Sequence, residues 1–231
     1  MTRRLLLVRH GITGWNAEGR FQGHRDPPLS EEGRTEARLL GERLLRDPDE
    51  RPARVVTSPL RRAAETAELV ASGAPVTTDA GLMEIGQGDW EGRTHAELAQ
   101  QDAERYRAWR TREDARPPGA EPLDAARSRA VRAARVAIEE PDGSWPLCLV
   151  AHGGIMRLLA AELLGLDLRR AWALDVDNAS LSVLREHDGG WLLGRWNDVA
   201  HLLRAGHAET DDVDAQTTQR PPHLEEAPPA L

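Results

Sequence analysis

The sequence predicts an α/β protein, a three-layer α/β/α sandwich around a central, mostly parallel sheet. Two observations carry this expectation. Short apolar runs alternate along the chain with longer amphipathic stretches. The runs at Leu5–Val8 and Leu147–Val150 are apolar at every position, as strands covered on both faces are. Alternating strands and helices place helices on both sides of a parallel sheet.

The elements follow in order. Leu5–Arg9 is a strand running into Gly11. Ser30–Leu45 is a helix, with Ser30 as N-cap and Ala37, Leu40, Leu44 and Leu45 as its apolar stripe. Arg54–Thr57 is the second strand. Ser58-Pro59 predicts a helix start, serine at the cap and proline at the first helical position. Arg93–Glu113 and Leu123–Glu139 read as helices, split by Arg116-Pro117-Pro118-Gly119. Leu147–Ala151 is a strand, and Gly153-Gly154 opens a helix through Leu164. Ala179–Arg185 and Trp191–Trp196 complete the set of strands. Beyond Arg204 the chain turns acidic and Pro-rich with few apolar residues, so one domain is expected over 1–204 and a disordered tail over 205–231.

Composition narrows the function classes. All 30 basic residues are arginine, and the net charge is −8. Six acidic residues against one arginine lie from Ala205 onward, so the expected folded part is nearly neutral. That gives no support for a nucleic-acid or membrane surface. No apolar stretch approaches the ~18 residues of a membrane helix, and no signal-peptide pattern opens the chain. The single cysteine, Cys148, sits in an apolar run and cannot form an internal disulfide. A cytoplasmic protein is expected.

Ligands of open α/β sheets bind outside the carboxyl ends of the strands. At those ends stand Arg9-His10, then Ser58 with Arg61-Arg62 following, then His152-Gly153-Gly154. If these strands are neighbours, two histidines and at least two arginines converge beside helix N-termini. Such a place suits an oxyanion, phosphate above all. A neutral imidazole can attack phosphorus, and the departing alkoxide then needs a proton from a carboxylic acid. The Gly-rich segment 81–92 offers Glu84, Asp89 and Glu91 for that task, and the residues alone do not choose among them.

These motifs together resemble the histidine phosphatase superfamily, the phosphoglycerate mutase-like family. Arg9-His10-Gly11 with Thr13 and Asn16 matches its first motif. Gln22-Gly23, Asp26, Leu29-Ser30 and Gly33 follow, then Ser58-Pro59-Leu60-Arg61-Arg62-Ala63. Leu82-Met83-Glu84 with Gly88-Asp89-Trp90-Glu91-Gly92 matches the acid motif, and Val150-Ala151-His152-Gly153-Gly154 the last. The resemblance implies the phosphoglycerate mutase-like fold and a phosphomonoesterase working through a phosphohistidine. His10 would be the nucleophile and Glu84 the proton donor. Arg9, Arg62, His152 and Asn16 would bind the phosphoryl group. Arg62 is preferred to Arg61 because it directly precedes the motif's alanine, and only one of two adjacent helical side chains faces the pocket. No metal and no cofactor is implied. The expected partner is a small phosphorylated metabolite, with no nucleic acid, no membrane, and room for a homodimer.

The match has departures. Ile12 stands where the family carries an acidic or amide residue, Glu36 where glutamine is common, and Gly119-Ala120-Glu121-Pro122 meets a Gly-Gly-Glu-Ser loop only in part. A 2,3-bisphosphoglycerate-dependent mutase is the alternative, but mutases of this family usually carry a longer insertion between acid and last histidine than Glu84–His152 allows. A non-catalytic phosphate binder is a third reading. Motif spacing and Trp196-Asn197-Asp198 resemble members that include glucosyl-3-phosphoglycerate, phosphoserine and ribazole phosphatases, without choosing among them. His24, His95 and the arginines at 105, 107, 110 and 112 are expected on the solvated surface, and Trp15, Trp90 and Trp109 as core anchors.

Overall fold

The computed structural model describes residues 3–111, 115–141 and 143–203. The tail expected over 205–231, the domain boundary before it and Arg112 lie outside them. In chain order the elements are β1 (Arg4–Arg9), α1 (Gly14–Ala17), α2 (Glu31–Arg46), β2 (Arg54–Thr57), α3 (Arg61–Val70) and β3 (Val76–Thr78). Two 3₁₀ turns, Ala80–Leu82 and Gly88–Trp90, lead to α4 (His95–Gln101), α5 (Ala103–Thr111) and α6 (Leu123–Glu139). Then come β4 (Leu147–Ala151), α7 (Gly153–Leu164), α8 (Leu168–Ala171), β5 (Leu181–His187), β6 (Gly190–Asp198) and α9 (Ala200–Leu203). No helix among the described residues is long and apolar enough to cross a membrane.

The six strands form one sheet in the order β3-β2-β4-β1-β5-β6. β3, β2, β4 and β1 run parallel, while β5 is antiparallel to β1 and β6 to β5. Because side chains alternate across a strand, the continuous apolar runs serve two faces at once. Leu5, Leu7, Leu147 and Leu149 pack with Ile155, Met156 and Leu159 of α7 and with the buried alanines of α6, flanked by its Leu123 and Ile138. Leu6, Val8, Cys148 and Val150 pack with Leu40 and Leu44 of α2 and with Ala63, Ala67 and Val70 of α3. Each of Leu5, Leu6, Leu7 and Val8 is fully buried, contributing about 2 kcal/mol apiece. This is the three-layer sandwich that the alternation predicts.

Three local expectations need correction, and one strand had no expectation. α3 starts at Arg61 rather than Pro59, and its N-cap, Leu60, makes no side-chain bond. The Asp26 carboxylate instead accepts the Arg61 N–H at 2.6 Å, and the Ser58 hydroxyl lies 2.9 Å from His152 Nε2. The helix expected over Arg93–Glu113 breaks at Asp102, whose backbone leaves helical geometry and whose carboxylate accepts the Trp90 indole N–H at 3.2 Å. Leu45, assigned to the buried stripe of α2, faces solvent. β3 had no signal because all three of its residues are exposed and form no apolar run.

A third, aromatic cluster sits apart from the sheet. Phe21, Trp90 and Leu98 are buried there, with Tyr106 and Trp109 against them. It fastens α4 and α5 beside the carboxyl edge of the sheet, so Trp90 and Trp109 are the anchors expected of them.

Candidate active site

β4 lies between β1 and β2, with Arg9 opposite Ala151 and Thr57 opposite Val150. The three strand ends therefore deliver His10, Ser58 and His152 to one edge. Close backbone contact fixes the first turn, where a Cβ on Gly11 would strike the Gly33 carbonyl. The Gly11 N–H donates to Thr66 Oγ1 at 3.1 Å, and the Ile12 N–H to Glu36 Oε2 at 2.8 Å. Glu36, where the family prefers glutamine, thus keeps an acceptor on this turn.

His10 is 2% exposed. Its Nδ1 lies 2.8 Å from the Gly11 carbonyl oxygen, which only accepts, so Nδ1 carries the proton and Nε2 keeps its lone pair. The Asn178 amide donates to the His10 carbonyl at 3.0 Å. Burial, then the neighbouring Arg62 and Arg9 charges, hold the His10 pKa well below its ordinary value. His152 is fully buried beside it, with ring centroids 5.1 Å apart, and its pKa is lowered first by burial and then by Arg62. Both imidazoles are neutral at neutral pH.

The arginines sort as the helix geometry predicts. Arg61 is exposed and near Glu65, while Arg62 is fully buried and donates to the Arg25 and Gly23 carbonyls at 2.8 and 3.0 Å. Burial lowers the Arg62 pKa to about 10. Arg9 donates to the Val176 carbonyl. Asn16 closes the capping box of α1, its Oδ1 accepting from Thr13 N and Oγ1, which leaves its NH₂ to the cleft wall.

Glu84 reaches the same cleft from the loop after Ala80–Leu82. Its Oε1 accepts the Ile85 N–H at 2.9 Å and its Oε2 the Gly154 N–H at 3.2 Å. The other two carboxylates of the segment are elsewhere. Asp89 is exposed, and Glu91 Oε1 accepts the His24 and Gln87 N–H groups, tying two loops together.

The cleft is walled by Arg9, His10, Asn16, Arg62, Glu84 and the Gly153-Gly154 turn. Arg157, His95 and Arg20 also stand on its wall and were not expected there from the sequence. Arg157 is 2% exposed, with Nε donating to the Leu174 carbonyl at 2.8 Å and its pKa lowered to about 10 by burial. The available signal was a lone arginine in the otherwise apolar Ile155–Leu159 stretch, one turn after Gly153. His95, expected on the surface, is half-buried on the cleft wall against Phe21, with ring centroids 4.5 Å apart. Arg105, Arg107 and Arg110 are exposed, as expected.

Buried Nε of Arg9, Nε of Arg62, Nη2 of Arg157 and Nδ1 of His152 find no acceptor within the protein. Buried polar groups are normally paired. Three guanidinium groups against the Glu84 carboxylate make the cleft cationic, and its donors suit a tetrahedral oxyanion.

Comparison with known proteins agrees. The model of the histidine phosphatase superfamily (branch 1) matches residues 5–199. The chain is 39% identical over 220 residues to glucosyl-3-phosphoglycerate phosphatase of Mycobacterium tuberculosis, covering 87% of this chain and 96% of the relative. It is 34% identical over 216 residues to phosphoglycerate mutase-like protein 4 of Arabidopsis thaliana, covering 89% and 90%. Among solved structures, a mycobacterial glucosyl-3-phosphoglycerate phosphatase in complex with VO3 superposes with a TM-score of 0.75 at 37% identity, covering 84% of this chain and 98% of that one. The α-ribazole phosphatase of Shigella flexneri gives 0.74 at 34%, covering 85% and 96%. With its strand ends, buried histidines and acid loop in this arrangement, the chain belongs to the histidine phosphatase superfamily.

Proposed function

We propose that the protein hydrolyses a small phosphorylated metabolite through a phosphohistidine at His10. One observation carries the proposal: the His10 proton is committed at Nδ1 to Gly11, so Nε2 presents a lone pair to a cationic cleft that also holds Glu84. The Nε2 lone pair attacks phosphorus, the ester P–O bond breaks, and protonated Glu84 gives its proton to the departing alkoxide. Water then attacks the phosphohistidine, Glu84 takes its proton, and the P–N bond breaks to release inorganic phosphate. Arg9, Arg62, His152 and Asn16 hold the phosphoryl oxygens, and Arg157 adds a third buried cation. These groups neutralise the developing charge, so the step is assigned no metal.

Relatives that act on glucosyl-3-phosphoglycerate and α-ribazole phosphate support a phosphorylated metabolite as substrate. A mutase must also anchor a second anionic group of its substrate. Arg20, the cleft arginine not assigned to the phosphoryl group, is bonded to Glu18 and to the Gly92 carbonyl, which favours hydrolysis. Burial pushes the Cys148 thiol up to about 12, an inert thiol consistent with a reducing cytoplasm.

The test is a phosphate-release screen across phosphorylated metabolites, run beside conversion of 3-phosphoglycerate to 2-phosphoglycerate. Release without isomerisation is expected. Isomerisation as the main activity would establish the mutase instead, and silence in both would leave a phosphate-binding protein.

A further inference from the structure

Glu84 is held by more than its own carboxylate contacts. Arg129 of α6 is 17% exposed and uses its guanidinium as a hub. Nη1 donates to the carbonyls of Gly81 and Met83, at 2.8 and 2.5 Å, and Nη2 to the carbonyl of Glu84 itself at 2.8 Å. Nε and Nη2 also form a two-point pair with Glu121, both at 2.7 Å. Glu121 Oε2 in turn accepts the Gly86 N–H at 3.1 Å. One ion pair thus fastens the backbone on both sides of Glu84, while neither partner lines the cleft. Glu121 belongs to the loop in which the sequence departs from the family pattern.

The contacts are of a demanding kind. A guanidinium offers five N–H donors in a rigid fork, and here all five have acceptors: three carbonyls of one loop and two carboxylate oxygens. A carboxylate that must deliver a proton to a leaving oxygen has to be placed to within a fraction of an ångström. The loop 81–86 has little regular structure to provide that beyond its 3₁₀ turn. Its backbone is anchored instead to α6, whose buried alanines pack directly on the sheet.

We infer that Arg129 and Glu121 are positioning residues for proton transfer, acting on the reaction through Glu84 and not through the phosphoryl group. The inference rests on Glu84 as proton donor. It makes a distinction that a merely structural role does not make. Breaking the pair weakens protonation of the leaving group, so the cost grows as the leaving group becomes more basic. A misfolded fraction lowers turnover of every substrate by the same factor.

The experiment compares kcat/KM for p-nitrophenyl phosphate, whose phenolate leaves readily, with phenyl phosphate, whose phenolate needs the proton more. Variants are Arg129→Lys, Glu121→Gln and Glu84→Gln, with Glu84→Gln also combined with Arg129→Lys. For the two positioning variants, phenyl phosphate is expected to lose about tenfold more than p-nitrophenyl phosphate. The ratio is unaffected by the fraction folded. In the Glu84→Gln background, Arg129→Lys is expected to add nothing to that ratio, because both changes act at one group. Equal losses on both substrates in the Arg129 and Glu121 variants, with the skewed loss kept in Glu84→Gln, would overturn this inference alone. Equal losses in Glu84→Gln itself would remove the proton-donor reading beneath it.

Discussion

The N–H of Gly154, at the first turn of α7, donates to Glu84 Oε2 at 3.2 Å, joining two motifs that are 70 residues apart in the chain. A Cβ at position 154 would stand 2.6 Å from Glu84 Oε1 and 2.8 Å from Ile85 Cδ1. The obstructing oxygen is the end of a movable side chain, so the carboxylate would shift while the backbone stayed. Gly154→Ala also gains helix propensity, worth up to about 1 kcal/mol in a helix interior. Activity is therefore expected to fall at least about tenfold while the unfolding midpoint holds or rises. Loss of stability in step with activity would show that the backbone moves instead.

Two other imidazoles stand at or near the cleft, and each is engaged: His95 turns its Nδ1 to the Tyr106 hydroxyl 3.0 Å away. His152 keeps its Nε2 against Ser58 Oγ, so it is not free to attack phosphorus. His10→Ala is expected to leave less than about a hundredth of turnover on any phosphomonoester. Rapid quench in acid and in alkali should show a protein-bound phosphate that is acid-labile, and only when His10 is present. A full yield of it in His10→Ala would move the nucleophile elsewhere.

The buried imidazoles also set a pH dependence of stability. Folded His10 and His152 have pKa values well below 6.5, whereas the unfolded chain protonates both near that value. Above about pH 6.5 neither group affects stability. Below it the unfolded state binds protons that the native state refuses, and stability falls by about 1.4 kcal/mol per pH unit for each histidine. Urea unfolding of the unaltered protein and of His152→Gln, each at pH 7.5 and 5.5, checks this. The variant should lose about 1.4 kcal/mol less on acidification, and an equal loss in both would mean that His152 titrates normally in the fold.

Charge neutralisation by Arg9, Arg62 and Arg157 leaves no electrostatic task that calls for a divalent ion. Extended treatment with a chelator is expected to leave phosphatase activity unchanged. A loss that Zn²⁺ or Mg²⁺ restores would require a different account of the transition state.

What could be read from the chain alone followed the range of the forces involved. Strand runs such as Leu5–Val8 were legible because burial on both faces writes itself into consecutive residues. Local helix geometry said that only one of Arg61 and Arg62 would turn inward, and the resemblance, through the motif's alanine, said which. The bond from Asp26 to the start of α3 was hidden, since its partners lie 35 residues apart and Ser58-Pro59 supplies a competent local cap signal. Arg157 was hidden for a different reason: nothing short-range separates an arginine turned into a cleft from one reaching solvent. The residues alone could not choose among Glu84, Asp89 and Glu91, and only the resemblance named Glu84, because the feature that separates the three, the packing of the Glu84 loop against α7 at the cleft wall, is long-range.

Arg61 and Arg62 supply the sharpest contrast between neighbours. The Arg62 fork grips the Arg25 and Gly23 carbonyls while its Nε has no acceptor within the protein, so it fixes a loop and keeps a donor for the cleft. A lysine offers one compact ammonium and cannot reproduce both directions. Arg62→Lys is expected to lower kcat/KM at least about a hundredfold, the equivalent of two charge-assisted hydrogen bonds at ~1.5 kcal/mol each. Arg61→Lys keeps a solvated charge near Glu65 and should stay within about twofold of the unaltered protein. Steady-state kinetics of the two variants on one substrate decide it. Comparable losses would mean that α3 presents both arginines to the phosphoryl group, contrary to the burial of one and the exposure of the other.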